Sequence, residues 1–133
     1  MIGIAICSHA DFASGLKNAV EMIAGVQEDF YAFEFYGDVE LMEFGCLLKE
    51  ETSKSKDGCI YVVDLLNATP FNAALIAIAY SDNVVITGAS LPLVLELIIN
   101  RANNPEYDIK RLANSIVDST EAYVSIRTSS DVF

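Results

Sequence analysis

Two residues with the means to do chemistry, His9 and Asp64, each follow a strongly hydrophobic segment. His9 is the only histidine in the chain and comes after residues 2–7, whereas Asp64 comes directly after Cys59–Val63. Continuous apolar segments of this kind are typical of strands buried on both faces of a parallel sheet. If these strands are neighbours, their carboxyl ends meet at the sheet edge where open α/β folds bind ligands. We therefore predict that the imidazole and the carboxylate lie side by side, ~5 Å apart across neighbouring backbones.

An imidazole paired with a carboxylate is suited to carrying a phosphoryl group. An aspartate that accepts a hydrogen bond from Nδ1–H fixes the ring tautomer and leaves the lone pair on Nε2. The same carboxylate stabilises the imidazolium that forms when Nε2 takes up phosphate. The pattern therefore predicts His9 and Asp64 as catalytic residues. The alternatives are that His9 is an ordinary surface or core residue and that Asp64 is an exposed residue or a cap in the loop before the helix.

A helix start follows Asp64 within a few residues and could bind an anion. Thr69 is predicted to be the N-cap and Pro70 the first helical residue. Free N–H groups at this start, with the Thr69 hydroxyl and the adjoining Ala68 and Asn67, predict a phosphate-binding segment. Asn67 is expected to adopt the left-handed conformation that a tight loop demands. No P-loop, GxGxxG or cluster of metal ligands is present, so no metal and no cofactor is predicted.

The remaining elements alternate between strand and helix, which predicts an open, doubly wound α/β fold with a mostly parallel sheet. The strand order 2-1-3-4, common in such folds, would place strands one and three at the switch point. Residues 128–133 are expected to fray. The predicted strands are residues 2–7, 30–36, 59–63, 83–87 and 123–127, and the predicted helices are residues 12–24, 39–54, 70–80, 91–101 and 109–121.

Composition limits the possible partners and compartment. The 133 residues fit a single domain, 1–133, and no apolar run approaches the ~18 residues that span a bilayer. A formal net charge of −11 disfavours binding to nucleic acid and suits a basic protein partner. The alternative is that the charge only maintains solubility. The three cysteines are odd in number and widely spaced, which favours a reducing cytoplasm over a disulfide framework.

Three segments resemble the mannose-family (mannose/fructose/sorbose) enzyme IIA component of the bacterial sugar phosphotransferase system. Asp64 followed by Thr-Pro-Phe-Asn-Ala-Ala at residues 69–74 resembles the family's Asp…Ser-Pro-Phe-Asn-Ala-Ala signature. Ser-His-Ala at residues 8–10 is similar to its active-site segment, usually His-Gly after the first strand. Residues 88–96 resemble its Gly-x-Asn-x-Pro-Met segment. The matches occur in order and cover about residues 1–127.

The resemblance implies a function and a set of partners. His9 would accept phosphate from the phosphocarrier protein HPr and pass it to a separate IIB component, with an indirect link to a membrane IIC/IID complex. Asp64 would orient His9, and Thr69 would take the place of the family's serine near the phosphate. The family's last, antiparallel strand is exchanged within a homodimer, and residues 123–127 stand at its position.

The chain departs from the family pattern at two places. Asn67 and Ala68 stand where the family often has two glycines, and Ala10 replaces the common glycine after the histidine. These changes reduce backbone freedom but remove no reacting group. Two other interpretations stay open: the histidine-phosphorylated subunit of a dihydroxyacetone kinase, and a non-catalytic regulatory or binding domain with the same fold.

Overall fold

A computed structural model describes residues 1–131 and shows a four-stranded sheet with helices packed on both faces. All the strand pairs are parallel, and the strand order is β2-β1-β3-β4, which confirms the predicted 2-1-3-4 arrangement. The strands are β1 (Gly3–His9), β2 (Phe30–Phe35), β3 (Cys59–Val63) and β4 (Val84–Thr87). The helices are α1 (Phe12–Ala24), α2 (Leu41–Thr52), α3 (Thr69–Ile78), α4 (Leu91–Asn103) and α5 (Ile109–Asn114).

Alternate residues of the central strand β1 face two separate hydrophobic cores. Ile4 and Ile6 point into the larger core, which includes residues of α1, α4 and α5. Ala5 and Cys7 point into the smaller core, which is closed by α2 and α3. Since both faces of β1 are covered, its apolar residues form an unbroken run rather than an alternating pattern. This double burial fixes the strand register and therefore the side chains that emerge at its end.

The start of α3 differs from the prediction, because Thr69 is already helical and Ala68 is the N-cap. Ala68 has extended backbone angles (φ −95°, ψ 174°), and the Asn72 N–H donates to its carbonyl oxygen over 3.0 Å. The prediction of Thr69 as N-cap and Pro70 as first helical residue is thus wrong by one position. The left-handed residue Asn67 turns the chain immediately before Ala68, so the helix begins one residue early. An alanine cap offers no side-chain acceptor to the first-turn N–H groups.

The last predicted helix is shorter than expected. It ends at Asn114 instead of continuing to about Glu121, and a 3-10 segment, Val117–Tyr123, follows it. The Ser115 N–H is shared between the carbonyls of Arg111 and Leu112, and the Ser115 hydroxyl also donates to Leu112, over 2.6 Å. These contacts tighten the last turn and draw acceptors away from a continuing α-helix.

The predicted strand at residues 123–127 does not form within residues 1–131 of a single chain. Tyr123 ends the 3-10 segment, and its hydroxyl donates to the Glu96 carboxylate. The residues after it are exposed, with 83% of Val124 and 91% of Ile126 accessible to solvent. A strand needs a neighbouring edge to pair with, and these residues pair with none within residues 1–131.

Of the tail predicted to fray, Ser129–Asp131 forms an exposed 3-10 turn, and residues 132–133 lie outside the described residues. Within residues 1–131, no helix combines the length and the apolar character that crossing a membrane requires.

Candidate active site

His9 is the last residue of β1 and presents its side chain at the carboxyl edge of the sheet. Its side chain is 45% exposed, although the seven preceding residues are buried. Ala10 turns the chain with a positive φ of 50°, and its N–H donates to the Phe35 carbonyl over 2.8 Å. The strand therefore carries the imidazole out of the core into a position that a partner molecule can reach.

Asp64 follows β3 and holds His9 through one carboxylate oxygen. Asp64 Oδ2 lies 2.8 Å from His9 Nδ1 and accepts the backbone N–H of His9 over 3.0 Å. The predicted proximity of the two side chains is therefore observed. Asp64 is the more enclosed partner, with 18% of its side chain exposed. An acceptor at Nδ1 places the hydrogen there and leaves the lone pair on Nε2.

The His9 ring is also supported from the neighbouring strand β2. Phe35 stands opposite His9 in the β1–β2 register, and the two rings meet edge to face with centroids 6.2 Å apart and an interplanar angle of 79°. This geometry is favourable for aromatic pairs. The ring is thus fixed by Asp64 at Nδ1 and by Phe35 along one side, while Nε2 makes no hydrogen bond to residues 1–131.

Residues 64–68 connect β3 to α3 and contain the predicted phosphate-binding residues. Asn67 has φ 64°, as expected for the left-handed residue of this loop. Ala68 is half-buried and extended, and Thr69 opens the helix with Pro70 behind it. The first-turn N–H groups of a helix have no intrahelical partners and attract anions. The loop therefore places Asp64 and the start of α3 at the same sheet edge, and no hydrogen bond joins Thr69 directly to His9.

A small polar network fixes the loop after His9 and was not predicted. The Tyr36 hydroxyl donates to the Asp11 carboxylate and, over 3.3 Å, to Glu34 Oε2. Ser14 donates to the same Glu34 oxygen over 3.0 Å. The hydrogen bond to Asp11 raises the pKa of Tyr36, so the hydroxyl remains protonated and continues to donate. The network joins the start of α1 to the end of β2, two segments about 20 residues apart in the chain, so local sequence patterns give no indication of it.

Two buried polar atoms next to the His9–Asp64 pair have no hydrogen-bond partner among the described residues. They are the Ser8 hydroxyl and Asp64 Oδ1. Ser8 is wholly inaccessible to solvent, although serine in a strand is more often exposed. The parity of β1 predicts its inward direction, but burial without a partner is visible only in three dimensions.

Within residues 1–131, no group of three or more histidine, cysteine, aspartate or glutamate side chains is placed to bind a metal ion. The site instead consists of an exposed imidazole, its carboxylate and the start of a helix. Such a set can hold a nucleophilic nitrogen, stabilise a positive ring and receive an anion.

Comparisons with known proteins identify a matching family and several relatives of the chain. The chain matches the EIIA-man family model, described as "PTS system fructose IIA component", over residues 3–117. It is 31% identical over 103 residues to the sorbose-specific EIIA component of Lacticaseibacillus casei, covering 76% of this chain and 74% of that protein. It is 28% identical over 113 residues to the mannose-specific EIIAB component of Escherichia coli K12, covering 80% of this chain but only 34% of that protein. The chain thus spans about a third of the length of that relative.

The fold has a close counterpart among solved structures. The phosphotransferase system component EIIA from Streptococcus agalactiae superposes with a TM-score of 0.83 at 23% identity, covering 95% of this chain and 97% of that one. This likeness concerns the fold, whereas the family match over residues 3–117 concerns the sequence. The chain therefore belongs to the mannose-type EIIA family of sugar phosphotransferase systems.

Proposed function

We propose that this protein is a phosphoryl carrier in which His9 accepts phosphate from phospho-HPr and passes it to a IIB component. The observation that carries the proposal is the 2.8 Å contact between His9 Nδ1 and Asp64 Oδ2 beside a half-exposed ring. Family membership supports the direction of transfer. In this proposal His9 and Asp64 are the catalytic residues of a single EIIA domain comprising residues 1–133.

The transfer step follows from the tautomer that Asp64 favours. The Nε2 lone pair attacks phosphorus, an Nε2–P bond forms, and the bond from phosphorus to the donor breaks with its electron pair returning to the donor. The His9 ring becomes positively charged. Nδ1 keeps its hydrogen and its hydrogen bond to Asp64 Oδ2, and the carboxylate stabilises the positive charge. Discharge to the acceptor is the reverse process. No proton needs to leave the pair in either direction.

The start of α3 is the proposed site for the phosphoryl oxygens. The first-turn N–H groups, with the Thr69 hydroxyl, supply donors, and the helix dipole adds a partial positive charge. Asn67 and Ala68 present this turn toward the sheet edge through their left-handed and extended backbones. Phosphoryl transfer relies chiefly on positioning and electrostatic stabilisation, so this arrangement supports transfer without a cofactor.

The surface around His9 supports docking of protein partners. Apolar side chains on the adjoining loops are exposed: Phe12 (45%), Tyr36 (57%), Leu65 (59%) and Leu66 (56%). An exposed apolar group of this kind, around a reactive residue, fits a transient protein interface. Successive contacts with HPr and IIB at this one surface would link the chain indirectly to a membrane IIC/IID complex. We accordingly place the protein in the cytoplasm, where free thiols such as Cys46 persist.

We further propose a homodimer in which residues 123–127 pair, antiparallel, with the β4 edge of a second copy. The outer edge of β4 borders a cavity of about 400 Å³ whose other wall includes Ala113, Val117 and Thr120. The exposed Val124 and Ile126 have the apolar side chains that such an edge accepts. Sedimentation of the intact chain at micromolar concentration should show a dimer that Ile126→Asp dissociates. A monomer at this concentration would contradict the proposal.

The carrier function is tested by phosphorylation in vitro. Incubation with phosphoenolpyruvate, enzyme I and HPr should add one acid-labile phosphoryl group to the intact mass, and His9→Gln should abolish it. Because His9 is the only histidine, any phosphorylation that survives in His9→Gln would contradict the assignment. An unmodified wild-type protein would reject the proposed function.

The acceptor distinguishes the proposal from its alternatives. Phosphorylated protein should lose its label to a IIB component and keep it in the presence of dihydroxyacetone kinase subunits. Discharge to the kinase subunits alone would assign the protein to that system. Failure to discharge to either would indicate a regulatory or binding domain.

A further inference from the structure

We propose that Ser8 is a positioning residue whose hydroxyl donates a hydrogen bond to Asp64 Oδ1, an inference that rests on the proposed phosphoryl-carrier function. In this arrangement the two oxygens of Asp64 have separate tasks. Oδ2 holds His9, as the structure shows, and Oδ1 is held by Ser8. The carboxylate is then fixed from both sides and cannot rotate away from the imidazole.

The first support is that each atom lacks what the other offers. The Ser8 hydroxyl and Asp64 Oδ1 are both buried and without a hydrogen-bond partner among residues 1–131. A hydroxyl is a donor, and an ionised carboxylate oxygen is only an acceptor. Buried polar groups in folded proteins are almost always paired, because an unpaired one loses its hydration without compensation. One contact between these two atoms satisfies both.

The second support is the strand register. The last paired positions of β1 and β3 are Cys7 and Val63, so Ser8 and Asp64 occupy the next position on each strand. Both continue the alternation that directs Ile6 and Val62 into the larger core, so their side chains leave the backbones on the same side. Neighbouring backbones lie ~4.8 Å apart, and a serine hydroxyl moves between three staggered positions by rotating one bond. A change of Ser8 rotamer is therefore the movement that would make the contact.

A rival acceptor exists on the other neighbouring strand. Glu34 stands opposite Ser8 in the β1–β2 register, on the same side of the sheet. Its carboxylate already accepts hydrogen bonds from Ser14 and Tyr36, over 3.0 and 3.3 Å. Asp64 Oδ1 accepts none. Asp64 Oδ1 is thus the acceptor that lacks a donor, and Asp64 is the expected partner of Ser8.

Loss of the Ser8 hydroxyl should act on His9 through Asp64. A carboxylate held by one oxygen only is a poorer and less well oriented acceptor for Nδ1–H. Ser8→Ala should therefore shift the imidazole from the Nδ1–H toward the Nε2–H tautomer, visible in the ¹⁵N chemical shifts of the unphosphorylated ring. Phosphoryl transfer should slow by roughly two- to tenfold, the effect of one hydrogen bond. Ser8→Thr, which keeps the hydroxyl, should restore both.

The matched control is Ser55→Ala, which removes another buried hydroxyl. Ser55 donates to Asp29 over 3.1 Å near the opposite end of the strands, so its loss should lower stability and leave the His9 tautomer unchanged. In an Asp64→Asn background, Ser8→Ala should have no further effect on the tautomer. A wild-type tautomer in Ser8→Ala, or a shift that persists in Asp64→Asn, would overturn the proposal. If Ser8→Ala still shifts the tautomer in the Asp64→Asn background but not in a Glu34→Gln background, Glu34 is the partner of Ser8 instead.

The two proposals fail in different ways. The tautomer is measured on unphosphorylated protein, so it decides the role of Ser8 even if HPr transfers nothing to His9. Absence of phosphorylation in the wild type would reject the carrier function alone. A normal tautomer in Ser8→Ala, together with normal phosphorylation of the wild type, would reject the role of Ser8 alone.

Discussion

A single oxygen of Asp64 serves two nitrogens of His9. Asp64 Oδ2 lies 2.8 Å from Nδ1 of the ring and 3.0 Å from the backbone nitrogen of the same residue. The carboxylate thus fixes the ring relative to its own backbone, as well as setting the tautomer. Because His9 ends β1 and Asp64 directly follows the adjacent strand β3, both residues are anchored at the centre of the sheet.

Asp64→Asn should slow phosphoryl transfer without preventing folding. The asparagine amide can donate to Nδ1, which favours the Nε2–H tautomer and removes the free lone pair from Nε2. The neutral amide also cannot stabilise the positive charge of the phosphorylated ring. We expect a loss of roughly 10²-fold or more, below the ~10⁴-fold drop known for the same change in a Ser-His-Asp triad. Rapid-quench measurement of transfer from HPr gives the rate. Asp82→Asn, an exposed aspartate just before β4, is the matched control, and equal rates in the two variants would remove the role of Asp64.

Ala10→Gly should stabilise the fold. Ala10 has φ 50°, a left-handed conformation that costs a residue with a Cβ about 1 kcal/mol or more, whereas glycine adopts it freely. The higher entropy of glycine in the unfolded chain offsets part of this gain. We expect a net increase of up to about 1 kcal/mol in the free energy of unfolding, measured in urea. Ala102→Gly, at an exposed position within α4, is the control: its backbone is helical and carries no such strain, so the same change should destabilise. The opposite order of the two variants would contradict this account.

Gly45→Ala should destabilise the contact between α2 and α3, although alanine is the better helix former. A Cβ on Gly45 would lie 2.7 Å from Ile76 Cγ2 and 3.1 Å from the Ala73 carbonyl oxygen. Overpacking of this kind costs about 1–3 kcal/mol. Gly15→Ala, in α1, meets nothing within 4 Å and should stabilise by up to about 1 kcal/mol through helix propensity. Thermal or urea unfolding of both variants compares them, and a stabilised Gly45→Ala would show that the helices can separate at no cost.

The three cysteines should differ sharply in reactivity. Burial raises the pKa of Cys59 to about 12 and raises that of Cys7 well above its ordinary value, so neither forms thiolate near neutral pH. Cys46 is exposed on α2. Iodoacetamide should therefore label the native protein only at Cys46, and the unfolded protein at all three positions, as read by mass spectrometry. Cys46→Ser should abolish native labelling. Rapid native labelling of Cys7 would show that the smaller core opens.

The sequence by itself determined the architecture and the central pair of the site. Unbroken apolar segments such as residues 2–7 and Cys59–Val63 require burial on both faces, and that requirement leads to a parallel sheet between helices. Since parallel strands end at one edge, the positions of His9 and Asp64 along the chain were enough to place them together. Asn67 was likewise recognisable, because few other residues accept a left-handed backbone.

Only the tertiary structure decided where the helices begin and end, whether the last strand forms, and which polar groups are buried at the site. The N-cap at Ala68 instead of Thr69 and the end of α5 at Asn114 depend on local contacts that compete within about 1 kcal/mol. Residues 123–127 have a strand-like composition but form no strand. A strand forms only where a second strand edge is available beside it, and in the described part of this chain no edge pairs with these residues. The burial of Ser8 beside Asp64 Oδ1 arises from the register of β1 against β3. Register is a long-range property, fixed by two packed cores together and absent from any single segment.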